Sequence, residues 1–159
     1  MESSGGRDTG GQTILLDVFL TNQRRKRMIE AALARTELPT EDYPIYVLVG
    51  AEGPWTPTGL AARLEMPLST MLFRLGRLER RGHAERFPNP DDGRSYLIRL
   101  TDEGQRLLGQ ARPAFRAYAE AVEGRLGSEL VESLRAGLDE LRQAVAAELE
   151  GRRDSGTSR

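Results

Sequence analysis

Between Thr56 and Gly82 two short helical patterns lie back to back, and two strand-like runs follow at once, an order that few folds accommodate. Thr56 can cap a helix whose first residue is Pro57, where a missing amide hydrogen is harmless. Leu60, Ala61 and Leu64 give that helix an inner face, and Glu65-Met66-Pro67 breaks it. A second helix is expected from about Leu68 to Arg81, stopped by Gly82. Ala84 to Phe87 and Tyr96 to Leu100 alternate like strands around the turn-rich loop Pro88-Asn89-Pro90-Asp91-Asp92-Gly93-Arg94-Ser95. A tight helix pair followed by a long-tipped hairpin is a winged helix-turn-helix pattern.

The flanking segments read as helices. Gln12 to Arg35 carries Ile14, Leu15, Val18, Phe19, Met28, Ile29 and Leu33 at mixed spacings of three and four, with the basic run Arg24-Arg25-Lys26-Arg27 at its centre. That run reads first as a solvated helical face, with phosphate or subunit contacts as the alternatives. Thr40, followed by Glu41, Asp42 and Pro44, looks like the start of a short helix ending near Gly50. Thr101 begins a long helix striped by Leu107, Leu108, Ala111, Ala114, Phe115, Tyr118 and Val122, in which Pro113 should introduce a kink or a division. After Gly127-Ser128, the residues Val131, Leu134, Leu138, Leu141, Val145 and Leu149 form a narrow seam of the kind that seeks a partner helix. Met1 to Gly11 and Gly151 to Arg159 are polar and read as disordered ends. The expected architecture is mainly α with a small β-hairpin wing: dimerisation helices over residues 12–36 and 101–150, and a DNA-binding lobe over 37–100.

Composition narrows the chemistry. The chain has 159 residues, no cysteine and one histidine, His83. Disulfides, thiolate zinc sites and thiol redox switches are therefore excluded, a lone histidine cannot build a His-rich metal site, and no cofactor or metal is expected. A catalytic pair such as Asp91 and Asp92 has no nucleophile or orienting group beside it, so the chain does not read as an enzyme. No apolar run approaches the roughly 20 residues a bilayer span needs, which points to a soluble, cytoplasmic protein without membrane partners. A net charge of −1 hides an asymmetry: residues 63–99 hold eight arginines against five carboxylates, and residues 100–150 six against ten.

In the second helix of the pair, Met71, Leu75 and Leu78 make one buried stripe. The remaining surface offers Ser69, Thr70, Phe73, Arg74 and Arg77, types that suit a major groove: hydroxyls for bases or phosphates, an aromatic for thymine methyls, arginines for guanine. The same residues could make an ordinary solvated face, but an exposed phenylalanine beside arginines asks for a partner. On the hairpin, Arg94 beside Gly93 is placed to enter a narrow minor groove, with a local ion pair to Asp91 or Asp92 as the alternative. Arg86 and Ser95 are candidates for phosphate contacts, and Arg86 equally for a plain strand surface.

Leu60-Ala61-Ala62-Arg63-Leu64, Leu78-Glu79-Arg80-Arg81-Gly82-His83-Ala84-Glu85-Arg86, and Asp92-Gly93-Arg94 followed after five residues by Leu100-Thr101-Asp102-Glu103-Gly104 closely resemble the MarR family of bacterial regulators. The Asp-x-Arg with a Leu-Thr pair at this spacing is the most specific part, and the resemblance spans roughly Gln12 to Glu150. It implies a homodimer whose first and last two helices interlock, with Leu15, Phe19, Val131, Leu134, Leu138, Leu141 and Val145 as interface candidates, and whose two lobes each read half of an inverted repeat in double-stranded DNA. It also implies that Arg94 enters the minor groove while Asp92 holds the wing. Many members carry a second arginine where this chain has Gly93, which implies a more flexible wing and a weaker contact. Members commonly act as repressors released by a small, often aromatic, effector, and Phe19, Tyr43, Tyr46, Trp55, Phe115 and Tyr118 are pocket candidates, each of which ordinary core packing would also explain. A winged helix turned protein-binding module is the alternative function, since a fold alone does not fix activity.

Overall fold

The computed structural model describes residues 13–156, so the expected N-terminal arm and the last three residues lie outside the described residues. The helices are α1 (Ile14–Leu33), α2 (Tyr43–Glu52), α3 (Pro57–Arg63), α4 (Leu68–Arg80), α5 (Asp102–Leu126) and α6 (Ser128–Gly156). Strands β1 (Ala84–Pro88) and β2 (Tyr96–Leu100) pair antiparallel between α4 and α5, with Ala84 opposite Leu100 and Pro88 opposite Tyr96. The chain divides into two compact units, residues 1–115 and 116–159.

The first unit holds the core. Tyr46 of α2, Leu60 of α3, Met71, Leu75 and Leu78 of α4, Ile98 of β2, and Leu107 and Leu108 of α5 are all fully buried. The stripe 71, 75, 78 faces this core as its spacing requires. Trp55 adds a strand-like contact that the hairpin pattern did not announce: its amide donates to the Ile98 carbonyl at 3.1 Å, and the Ile98 amide donates back at 2.8 Å. This closed pair fastens the loop before α3 to the wing.

Both helix ends that flank α4 close by the same device. After α3 the Met66 amide reaches the Ala61 carbonyl and the Glu65 amide the Ala62 carbonyl, and after α4 the His83 and Gly82 amides reach Leu78 and Glu79 in the same pattern. The motif needs a left-handed residue, supplied by Gly82 (φ 72°) in one case and by Glu65 (φ 50°) in the other. Thr101 then joins α4 to α5. Its hydroxyl donates to the Gly82 carbonyl at 2.6 Å and accepts from the Gly104 amide at 3.2 Å, and its own amide donates to the His83 carbonyl. Gly104 sits so close that a β-carbon there would overlap the His83 carbonyl oxygen. The Leu-Thr-x-x-Gly run is therefore a splice between the wing and the long helix.

Three expectations need correction. The second helix begins at Tyr43 and not at Thr40, with Asp42 at its N-cap; the Asp42 side chain makes no capping bond, because it is committed to arginines of α4. Of the kink or division expected at Pro113, the division is absent: α5 runs unbroken through it, since a proline removes a single rung of the helical ladder and the remaining rungs carry the helix past it. In the second unit, α6 continues to Gly156, beyond the expected end near residue 150, and no helix-stopping proline stands in its way.

Candidate nucleic-acid interface

Helix α4 begins immediately after Pro67 and is amphipathic along its whole length. At roughly 100° per residue, Ser69, Phe73, Gly76 and Arg80 fall opposite the buried stripe. Phe73 is 65% exposed, and Ser69 and Arg80 are exposed beside it; Thr70 is half-buried on the flank.

Arg74 and Arg77 lie on that same flank, and both are occupied. Nη2 of Arg77 donates to Oδ2 of the fully buried Asp42 at 2.6 Å, a bond that holds the Arg77 pKa above its ordinary value against the effect of burial. Nη1 of Arg74 donates to the Glu41 carbonyl at 2.5 Å and lies 3.6 Å from Oδ1 of Asp42. The two guanidiniums that the sequence offered to bases thus tie α4 to the turn preceding α2. Leu72 and Leu68, absent from the sequence-based candidates, are 42% and 43% exposed on the other side of the helix. Their signal was available: Leu72 lies about 100° from Met71, and the 71, 75, 78 stripe leaves no room for it in the core.

The wing tip is built from side chains that grip backbone. Oδ1 of Asp92 accepts from the Arg94 amide at 3.0 Å, the Asp92 carbonyl accepts from the Ser95 amide and hydroxyl, and Asn89 Nδ2 donates to the Ser95 hydroxyl at 2.8 Å. Such Asx-type bonds stiffen a loop that lacks ladder bonds. Asp91 and Asp92 make no ion pair with Arg94, whose side chain stays exposed at the tip. Ser95 is half-buried and spent inside the loop. Arg86 is held by both oxygens of Glu79, with its guanidinium carbon 4.5 Å from the centre of the Tyr96 ring, so its immediate role is to brace the strand against α4.

A cleft of about 800 Å³ opens in the first unit among α1, α2, the end of α3, and Arg74 of α4. Tyr43 and Phe115 form an aromatic wall with ring centres 4.8 Å apart, and Arg25, Lys26, Arg63 and Arg74 give it a basic lining. Only these two of the six candidate pocket aromatics line it. Tyr46 is sealed in the core, where its hydroxyl shares a 2.6 Å hydrogen bond with Nδ1 of His83; Trp55 is clipped to β2, and Phe19 and Tyr118 are exposed on α1 and α5. Helical spacing could nominate these rings but could not place them on a common wall.

The helix pair, the hairpin and the exposed arginine tip define a winged helix-turn-helix protein. Comparison with known proteins narrows this further. No family model matches the chain. The multiple antibiotic resistance protein MarR of Salmonella typhimurium is 26% identical over 115 residues, covering 71% of this chain and 80% of that protein. A cysteine-to-serine mutant of E. coli MarR complexed with operator DNA superposes with a TM-score of 0.71 at 23% identity, covering 78% of this chain and 89% of that one. The S. aureus MepR–DNA complex gives a TM-score of 0.76 at 20% identity, covering 84% and 99%. The chain shares the winged-helix fold of these two structures and is similar in sequence to the MarR proteins.

Proposed function

We propose that this protein is a homodimeric, sequence-specific, cytoplasmic DNA-binding transcriptional regulator that acts as a repressor, with α4 in the major groove and Arg94 in the minor groove. The observation that carries the reading is the pairing of a stiffened wing tip, from which Arg94 projects unpaired, with a helix whose one carboxylate, Glu79, is held by Arg86, in a fold shared with two proteins solved on DNA. A narrow minor groove concentrates negative potential and favours an arginine held on a slim tip.

The dimer is supported by apolar surface that one subunit leaves bare. Leu15 and Phe19 of α1 are 56% and 54% exposed, and Leu134 and Leu138 of α6 are 45% and 51% exposed; Val145 is exposed and Val131 and Leu141 are half-covered on the same seam. Large apolar side chains left bare along a helix face mark an interface. An inverted repeat is the operator symmetry that such a twofold dimer requires. The basic, aromatic-walled cleft suits a small aromatic acid, and because Arg74 lines the cleft and also sits on α4, an occupant there would bear on the DNA-reading helix.

Two substitutions at the wing test the reading in opposite directions. Arg94→Ala should weaken binding to a selected site and lower the slope of log affinity against log salt by about one. Gly93→Arg should tighten binding and steepen that slope, because nothing lies within 4 Å of a β-carbon at Gly93 and its φ is not left-handed. Affinity and slope unmoved in both variants would remove the wing from the interface.

A further inference from the structure

Resting on the DNA-binding reading above, we propose that α4 reads its half-site through thymine methyl groups, with Phe73 and Leu72 as the specificity-determining residues. Among the standard bases of the major groove only thymine presents a methyl group, so an apolar side chain there discriminates thymine from every other base edge.

Three observations lead to this assignment. Phe73 and Leu72 are adjacent in sequence, 65% and 42% exposed, at the middle of a helix that buries Met71, Leu75 and Leu78 completely and leaves only Leu68, at its first position, comparably bare. The guanidiniums best suited to guanine, those of Arg74 and Arg77, are drawn to Asp42 and Glu41, so bidentate guanine contacts from this helix would first have to break a buried ion pair. Gly76, one turn beyond Leu72 and three residues beyond Phe73, has only the end of Arg80 near the place of its missing β-carbon, which lets the backbone approach a base step closely. The occupant is nucleic acid and not a protein surface on the grounds of charge. Arg80, Arg81 and Arg94 are exposed around this lobe, and Glu79, the carboxylate within α4, is neutralised by Arg86.

Uracil pairs as thymine does and lacks only the methyl, so it isolates the proposed contact. Binding of the wild-type protein would be measured by fluorescence anisotropy on its selected duplex and on duplexes with uracil replacing each thymine in turn. The expected result is a loss of about fourfold per contacted methyl at one or two positions in each half-site. Phe73→Ala and Leu72→Ala, both at exposed positions, should each bind the thymine and uracil forms alike at one of those positions. A wild type that holds its specific site but binds all uracil duplexes as tightly as thymine would overturn the methyl readout and leave the DNA-binding reading standing. Failure to select any consensus would overturn both.

Discussion

Arg77 of α4 and Asp42, which lies 35 residues earlier at the mouth of α2, share a hydrogen bond of 2.6 Å with the aspartate wholly buried. Through it, and through Arg74 on the Glu41 carbonyl, α4 is tied to the turn that precedes α2. Arg77→Ala would strand a buried carboxylate with only Arg74 beside it and should cost about 3 to 5 kcal/mol. Asp42→Ala should cost less, about 2 kcal/mol, since Arg77 is partly exposed and can turn to water. Urea unfolding of the two single variants and the double variant gives the coupling; additive losses would mean that the pair does not act as a clamp.

Gly104 makes a second prediction. Because a β-carbon there would overlap the backbone of His83, Gly104→Ala should destabilise by about 3 kcal/mol and loosen the splice at Thr101. Gly109, one turn and a residue further along α5, has nothing within 4 Å of its missing β-carbon, so Gly109→Ala should be neutral or stabilise by up to about 1 kcal/mol. Thermal unfolding of the two variants side by side checks the contrast, and equal melting temperatures would contradict it.

His83 makes the chain's stability sensitive to acid. Burial, reinforced by Arg81, holds its pKa below the ordinary value, while the Glu103 and Glu37 carboxylates oppose the shift. The unfolded chain therefore takes up a proton at this residue as pH falls through about 6.5, and the folded chain resists until lower pH. Stability from this source is fully present above that unfolded value and is lost as pH falls below it toward the folded pKa. Tyr46, its hydrogen-bond partner, is pushed up to about 12 by burial first and Asp42 second, so the phenol stays protonated throughout. Chemical unfolding at pH 8 and pH 5 should show a larger loss for the wild type than for His83→Gln; identical losses would clear His83 of the effect.

What could be read in the sequence was local. Thr56 and Pro57 announce α3, Gly82 ends α4, and the 71, 75, 78 stripe and the alternation of Tyr96, Ile98 and Leu100 assign their faces, because each signal and its consequence lie within a turn or a strand. What could not be read depends on distant partners. Asp42 reads only as an acidic residue near a helix start until the fold brings Arg77 to it, and Trp55 reads as a pocket candidate until Ile98 closes on it. Arg74 and Arg77 were legible as belonging to the polar side of α4, but that side has two flanks, and only the packed position of the turn before α2 decides which flank meets solvent. Glu65 in a left-handed conformation was hidden because the motif favours glycine, and here a glutamate takes that place in the closing turn of α3.

The most direct test of the central claim is selection of bound duplexes from a random pool by the wild-type protein at near-physiological salt, beside Arg94→Ala. The account predicts recovery of an inverted repeat whose half-sites lie about one helical turn apart, bound more weakly by the variant. A pool that returns no consensus, or a single unrepeated site bound equally by both proteins, would contradict a dimeric reader that uses this wing.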